Sequence, residues 1–174
     1  MTNGMISAPW EVDASNLRVV REGVASPYVG VYDLEERTAL YGEAIIEFLK
    51  QVPMSSRTNR LVDQLTGCGT SVGANYVEAD DAVSKKDFIN IIGTCRKEAR
   101  ECKFFIRMLV KACPELRESA IPLWREADEL HLTFSRIRRS AQDNLKAAQK
   151  YTAAKHSLLR SFVILHSSFD IFPL

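Results

Sequence analysis

At 174 residues and 19.6 kDa the chain fits one domain with extensions better than two. A length of this order buries enough surface to need neither metal nor disulfide. Lysine and arginine total 23 against 22 acids, a formal charge of +1, which excludes a bulk polycation but leaves room for a local basic face.

Residues 1–30 hold Pro9, Gly23, Pro27 and Gly30 and no sustained period, so they read as an irregular extension with a short strand or turn around Leu17–Val20. A bundle domain is predicted over 31–150. Asp33 and Glu36 form a capping box, and Leu34, Tyr41, Ile45, Phe48 and Val52 make one helical face that Pro53 closes. A second helix is predicted from about Thr58 to Ala79, with Leu61, Leu65, Cys68, Val72, Tyr76 and Ala79 on one side. The third opens at Ser84 with Asp87 behind it. Its stripe, Phe88, Ile92, Cys95, Ala99, Cys102, Ile106 and Leu109, alternates spacings of 4 and 3, the heptad rhythm of helices that pack at a shallow angle, and Pro114 ends it. A fourth helix is predicted to start near Ser119, to tolerate Pro122 in its first turn, and to carry Leu123, Ala127, Leu130, Phe134, Ile137, Ala141, Leu145 and Ala148. Strand signals are nearly absent. The fold class that follows is all-α, an antiparallel up-down four-helix bundle. Residues 151–174 contain two similar phrases, HSLLRSFVIL and HSSFDIFPL, and read as a low-complexity tail without helical phase, a poorly ordered appendage outside the domain.

The exclusions are as informative. No apolar run approaches the roughly 18 residues of a membrane span. No basic-then-apolar leader opens the chain, and Cys68, Cys95, Cys102 and Cys113 lack CxxC spacing, so a cytoplasmic protein with reduced core cysteines is expected. Gly67, Gly69 and Gly73 lack the Lys-Ser/Thr and preceding strand of a phosphate-binding loop. Gly69, Thr70, Gly73 and Ala74 instead read as a small-residue strip where another helix approaches closely, which offsets the roughly 1 kcal/mol each helical glycine costs. The histidines are His131, His156 and His166, with no ExxH pair, so neither metal nor cofactor is expected. His131 reads as a surface or boundary residue and Glu98 as a boundary contact to a lysine or arginine of a neighbouring helix. There is no GxSxG and no cysteine with a recognisable histidine partner, so no catalytic residue is assigned and the chain is not expected to be an enzyme.

Charge is unevenly placed. Val31 to Lys50 carries a net −3, whereas Arg136 to Arg160 carries a net +6. The candidate nucleic-acid-binding residues are Lys85, Lys86, Arg96, Lys97 and Arg100 on the third helix and Arg136, Arg138, Arg139 and Lys146 on the fourth. Such a face attracts phosphate backbones. The same charges also suit a solvated helix face with ordinary i,i+4 pairs, to which Glu98 and Glu101 contribute. Phe104, Phe105 and Met108 stand beside the heptad stripe as apolar residues in excess of one core, a second face for a subunit interface.

Several phrases carry a resemblance. They are Tyr32-Asp33-Leu34-Glu35-Glu36-Arg37-Thr38, Ile45-Ile46-Glu47-Phe48, Gln64-Leu65, Thr70-Ser71-Val72-Gly73-Ala74-Asn75-Tyr76 with Glu78-Ala79, Ser84-Lys85-Lys86-Asp87-Phe88, and Lys97-Glu98-Ala99 with Glu101. In this order and at these distances the chain, from Tyr32 to Arg139, resembles the bacterial four-helix bundle family also named for proteins encoded in 23S rRNA intervening sequences. The resemblance implies a homopentameric ring, and a relation to the basic pentameric accessory proteins of diversity-generating retroelements, which partner a reverse transcriptase and nucleic acid. No catalytic residue is established for that family. The chain departs from its pattern at Ile91, where a lysine is common, and at Phe104-Phe105, where Tyr-Trp is usual.

The expectation is therefore a non-enzymatic homo-oligomer, a pentamer by resemblance, that meets RNA or DNA and has no membrane or small-molecule partner. The rival is a protein-interaction scaffold or accessory subunit without nucleic-acid binding. An unrecognised hydrolase or nuclease would need carboxylates clustered around a metal.

Overall fold

The computed structural model describes residues 33–167, with side chains through His156. The extension expected over 1–30 and residues 168–174 lie outside the described residues. Asp33 starts α1 (Leu34–Leu49) by accepting from the Glu35 and Glu36 amides at 2.9 and 3.4 Å. α2 is Asn59–Asp80 and α3 is Lys85–Ala112, the latter capped by Ser84 Oγ, which accepts from the Asp87 amide at 3.1 Å. One 3₁₀ turn, Pro114–Leu116, leads into α4 (Arg117–Ser167). No strand occurs among the described residues.

Each helix runs antiparallel to the one before it, and cross-helix contacts fix the register. Ile45 meets Gly69 and Thr38 meets Gly73 between α1 and α2. Cys68 and Cys102 bring their sulfurs to 3.3 Å between α2 and α3. His131 Nδ1 lies 3.1 Å from the Arg96 carbonyl between α4 and α3, and Lys103 pairs with Asp128 across the same seam. Tyr76 and Phe134, with ring centroids 5.9 Å apart, tie α2 to α4. The heptad stripe of α3 supplies the middle of the core: Ile92, Cys95, Ala99, Cys102, Ile106 and Leu109 are fully buried, and Phe88 is half-buried. All four cysteines are free and buried.

The structure differs from the predicted elements in three places. α1 stops at Leu49, yet Val52 is buried, because the Gln51 and Val52 amides bond back to Phe48 and Leu49 and tighten the chain into a turn. α4 begins at Arg117 rather than near Ser119, so Pro122 stands in its second turn, on the exposed side where water can satisfy the carbonyl left without a donor. The break in helical phase expected after 151 does not occur: the backbone of α4 stays helical to Ser167. The physical reason lies just upstream. Residues 141–155 are rich in Ala, Lys and Gln, good helix formers, and extending an existing helix needs no new nucleus.

That continuation sets the shape of the molecule. At 1.5 Å per residue, the 51 residues of α4 span about 76 Å, against about 42 Å for the 28 residues of α3. From Lys146 to His156 every side chain of α4 is exposed. The helix has left the bundle. No helix among the described residues is long and apolar enough to cross a membrane.

Candidate nucleic-acid interface

α4 faces two ways. Ala120, Leu123, Ala127, Leu130 and Phe134 are buried, and Ile137, Ala141 and Leu145 continue that face half-buried towards the end of the bundle. Opposite them, Arg136, Arg139, Asp143, Lys146 and Lys150 recur at +3, +4, +3 and +4, the spacing that keeps residues on one face of a helix. All five are exposed, and among the described residues none of the four cations pairs with an acid.

Lys85 and Lys86, the first two residues of α3, are exposed as well. Lys85 lines a hollow of about 330 Å³ together with Asp80 of α2, Phe88 and, from α4, Ala141 and Asn144. The start of α3 and the point where α4 outruns it are therefore neighbours. Cations at a helix N-terminus oppose the helix dipole, so these lysines do nothing for the helix they begin. Their placement adds positive charge at the same end of the bundle, next to the Ala141 and Asn144 side of α4 rather than its outward stripe.

The other sequence candidates are elsewhere. Arg138 is on the inward side of α4: its side chain lies over Gly93 of α3, where a Cβ would stand 3.2 Å from Nε, and that Nε is buried without a hydrogen-bond partner. It is a packing residue, set apart from the outward stripe. Arg96 is half-buried at the α3–α4 seam. Lys97 is paired with Glu101 at 3.3 Å and Glu98 at 3.9 Å. Lys97 and Arg100 open onto a separate groove that also includes Gln64 of α2. The sequence candidates thus divide into an end patch on α3 and α4, a groove between α2 and α3, and two arginines at the α3–α4 seam.

The small-residue strip divides too. A Cβ on Gly69 would stand 2.9 Å from Ile45 Cγ2, and one on Gly73 would stand 3.4 Å from the Thr38 backbone, so both glycines admit α1. Thr70 and Ala74 have exposed side chains. Thr70 still contributes backbone, since a Cβ on Gly42 would come within 3.8 Å of its Cα. Glu98 finds its cation on its own helix rather than on a neighbour, and burial, reinforced by Glu101, raises its carboxyl above the ordinary value while Lys97 opposes the rise.

Glu126 escaped the sequence reading. Its carboxylate is wholly buried and accepts from Arg37 Nε at 2.6 Å, joining α4 to α1. The signal was present, since Glu126 lies three residues after Leu123 and four before Leu130, next to the apolar stripe. No group of three or more His, Cys, Asp or Glu side chains poised for a metal ion occurs among the described residues.

No curated protein matches the chain. A crystal structure of a protein of unknown function from the S23 ribosomal protein family of Bacteroides thetaiotaomicron VPI-5482 is similar at 25% identity and a TM-score of 0.55, covering 60% of this chain and 96% of that one. The family model for the 23S rRNA-intervening sequence protein matches residues 34–134, from the first residue of α1 to the buried Phe134 of α4. Three helices and the first eighteen residues of the fourth fall within that match, and the chain belongs to the 23S rRNA-intervening sequence protein family.

Proposed function

We propose that the protein is a non-catalytic, self-assembling helical bundle of the cytoplasm that binds the sugar-phosphate backbone of RNA or DNA through the end patch on α3 and α4. One observation carries the reading. Lys85, Lys86, Arg136, Arg139, Lys146 and Lys150 are all exposed, the four on α4 share one helix face, and that face leads out along the projecting part of the helix. On α4 four cations share the face with a single acid, so positive charge is in excess there. The one acid in the α4 stripe, Asp143, forms no ion pair with them.

The same reading extends to assembly. The family resemblance implies a pentamer, and a ring would repeat the patch on each subunit. Every phosphate neutralised on duplex DNA steepens the log–log salt dependence of binding by about 0.9. The test is fluorescence anisotropy of labelled duplex DNA and structured RNA against the full chain, from low to physiological salt, with light scattering for the assembled mass. The expected result is affinity that falls along a log–log line with a slope of several units. Absence of binding at low salt would overturn the reading, and a complex insensitive to salt would point to a scaffold for proteins.

A further inference from the structure

The groove between α2 and α3 is chemically unlike the end patch. It is an open hollow of about 520 Å³ lined by Gln64, Lys97, Arg100, Glu101, Phe104 and Phe105. Hollows of this size accept small organic groups. Phe104 is 54% exposed, and among the described residues it is the one large apolar side chain of α3 left open to that degree. Phe105 is half-buried against the core and meets Phe104 edge to face, with centroids 5.2 Å apart and planes at 80°. One ring is therefore anchored and holds the other in place.

The surroundings distinguish two occupants. The centre of a contact between protein copies is enriched in aromatics and Arg but depleted of Lys and Glu. Here the exposed ring is flanked by Arg100, which has no acid partner among the described residues, and by Lys97, whose ammonium is shared with Glu98 and Glu101. An aromatic face with a free guanidinium beside it and a carboxamide across the groove is the combination that receives an unpaired base, its phosphate and its polar edge.

We infer that Phe104 is a stacking platform for one unpaired nucleobase of a single strand, with Arg100 taking the adjoining phosphate and Gln64 the base edge. The inference rests on the nucleic-acid reading above and adds a preference to it, since stacking requires a base that is free of a partner strand. It also assigns Phe104 to a ligand in place of the subunit contact the sequence suggests.

The experiment uses the full chain and three labelled probes at one salt concentration: an oligothymidine of about ten nucleotides, within the span such sites cover, the same sugar-phosphate strand without bases, and a duplex. Phe104→Ala and Phe104→Leu remove the ring, the second keeping apolar bulk, while Phe104→Tyr retains it. Expected is tighter binding of the base-bearing strand than of the abasic one, a loss of roughly tenfold in Phe104→Ala and Phe104→Leu for that strand alone, and retention in Phe104→Tyr. Equal binding of base-bearing and abasic strands, with duplex binding intact, overturns the platform and leaves the backbone interface standing. Failure of the wild-type chain to bind any probe removes both. A changed assembled mass in Phe104→Ala and Phe104→Leu, with all three probes weakened alike, would overturn the platform and assign the ring to a contact between copies.

Discussion

Arg37 of α1 donates through Nε to Oε1 of Glu126 of α4 at 2.6 Å, and the glutamate is wholly buried. α1 and α4 are the first and last helices among the described residues, so this ion pair joins the two ends of the bundle's helix order. Removing the cation leaves the carboxylate buried without it, and disrupting a buried pair in this way costs several kcal/mol. Arg37→Ala is expected to lower unfolding free energy by about 3 kcal/mol, read from urea denaturation. Glu126→Gln should cost less, because it removes the charge whose burial is the penalty. A double variant whose loss equals the sum of the single losses would show that the two residues are not coupled.

Two glycines of α2 give opposite expectations for one substitution. A Cβ on Gly67 would have nothing within 4 Å, whereas one on Gly69 would stand 2.9 Å from Ile45, a β-branched residue with no exposure and no room to turn. Gly67→Ala is expected to stabilise by up to about 1 kcal/mol through helix propensity. Gly69→Ala gains the same propensity but is expected to lose about 1 to 3 kcal/mol to overpacking, for a net loss. Thermal melts that raise or lower both variants together would contradict the close approach of α1 to α2.

Neighbouring arginines of α4 should separate stability from binding. Arg139 is exposed on the outward stripe, while the Arg138 side chain lies over Gly93 with its Nε buried. Arg139→Ala is expected to flatten the salt slope for duplex DNA by about 0.9 and to leave stability within about 0.5 kcal/mol. Arg138→Ala loses the packing of its aliphatic stem and is expected to cost about 1 kcal/mol without altering the slope. The reverse pattern would place the phosphate contact on the inward side of the helix.

The buried thiols make the fold sensitive to alkali. Burial pushes Cys95 from 9.0 up to about 12, and the hydrogen bond with Cys68, followed by burial, holds Cys102 well above its ordinary value. Between pH 9 and about 12 the unfolded chain has released the Cys95 proton that the native chain still holds. The native state then binds more protons, so the stability present below pH 9 is lost as pH rises through that window. One such thiol contributes a slope of about 1.4 kcal/mol per pH unit. Cys95→Ala should flatten the alkaline fall by about that amount, measured by urea denaturation across the window, and an unchanged slope would mean that Cys95 titrates alike in both states.

Legibility differed between the core and the candidate interface. The α3 stripe from Ile92 to Leu109 was readable because its alternating spacing repeats over several turns, and each of those residues is buried. The caps at Asp33 and Ser84 were readable because a cap depends on residues within one turn. The continuation of α4 to Ser167 is not written in the apolar pattern, since a helix already formed can be extended through a sequence whose apolar pattern is irregular.

The candidate site was legible as composition and not as place. The sequence alone determines that α4 carries excess positive charge and that α3 has aromatics beyond its core stripe. Tertiary structure decided which cations share a surface: Arg138 turns onto Gly93, Lys85 meets the stretch of α4 around Asn144, and Arg100 joins Gln64 across a groove. It also decided that Glu126 is buried against Arg37, from residues far apart in the chain. The physical reason is the range of the interactions. Helical periodicity and capping act over three or four residues and are written in local order, while the partner of a charge depends on how helices distant in sequence are rotated against one another.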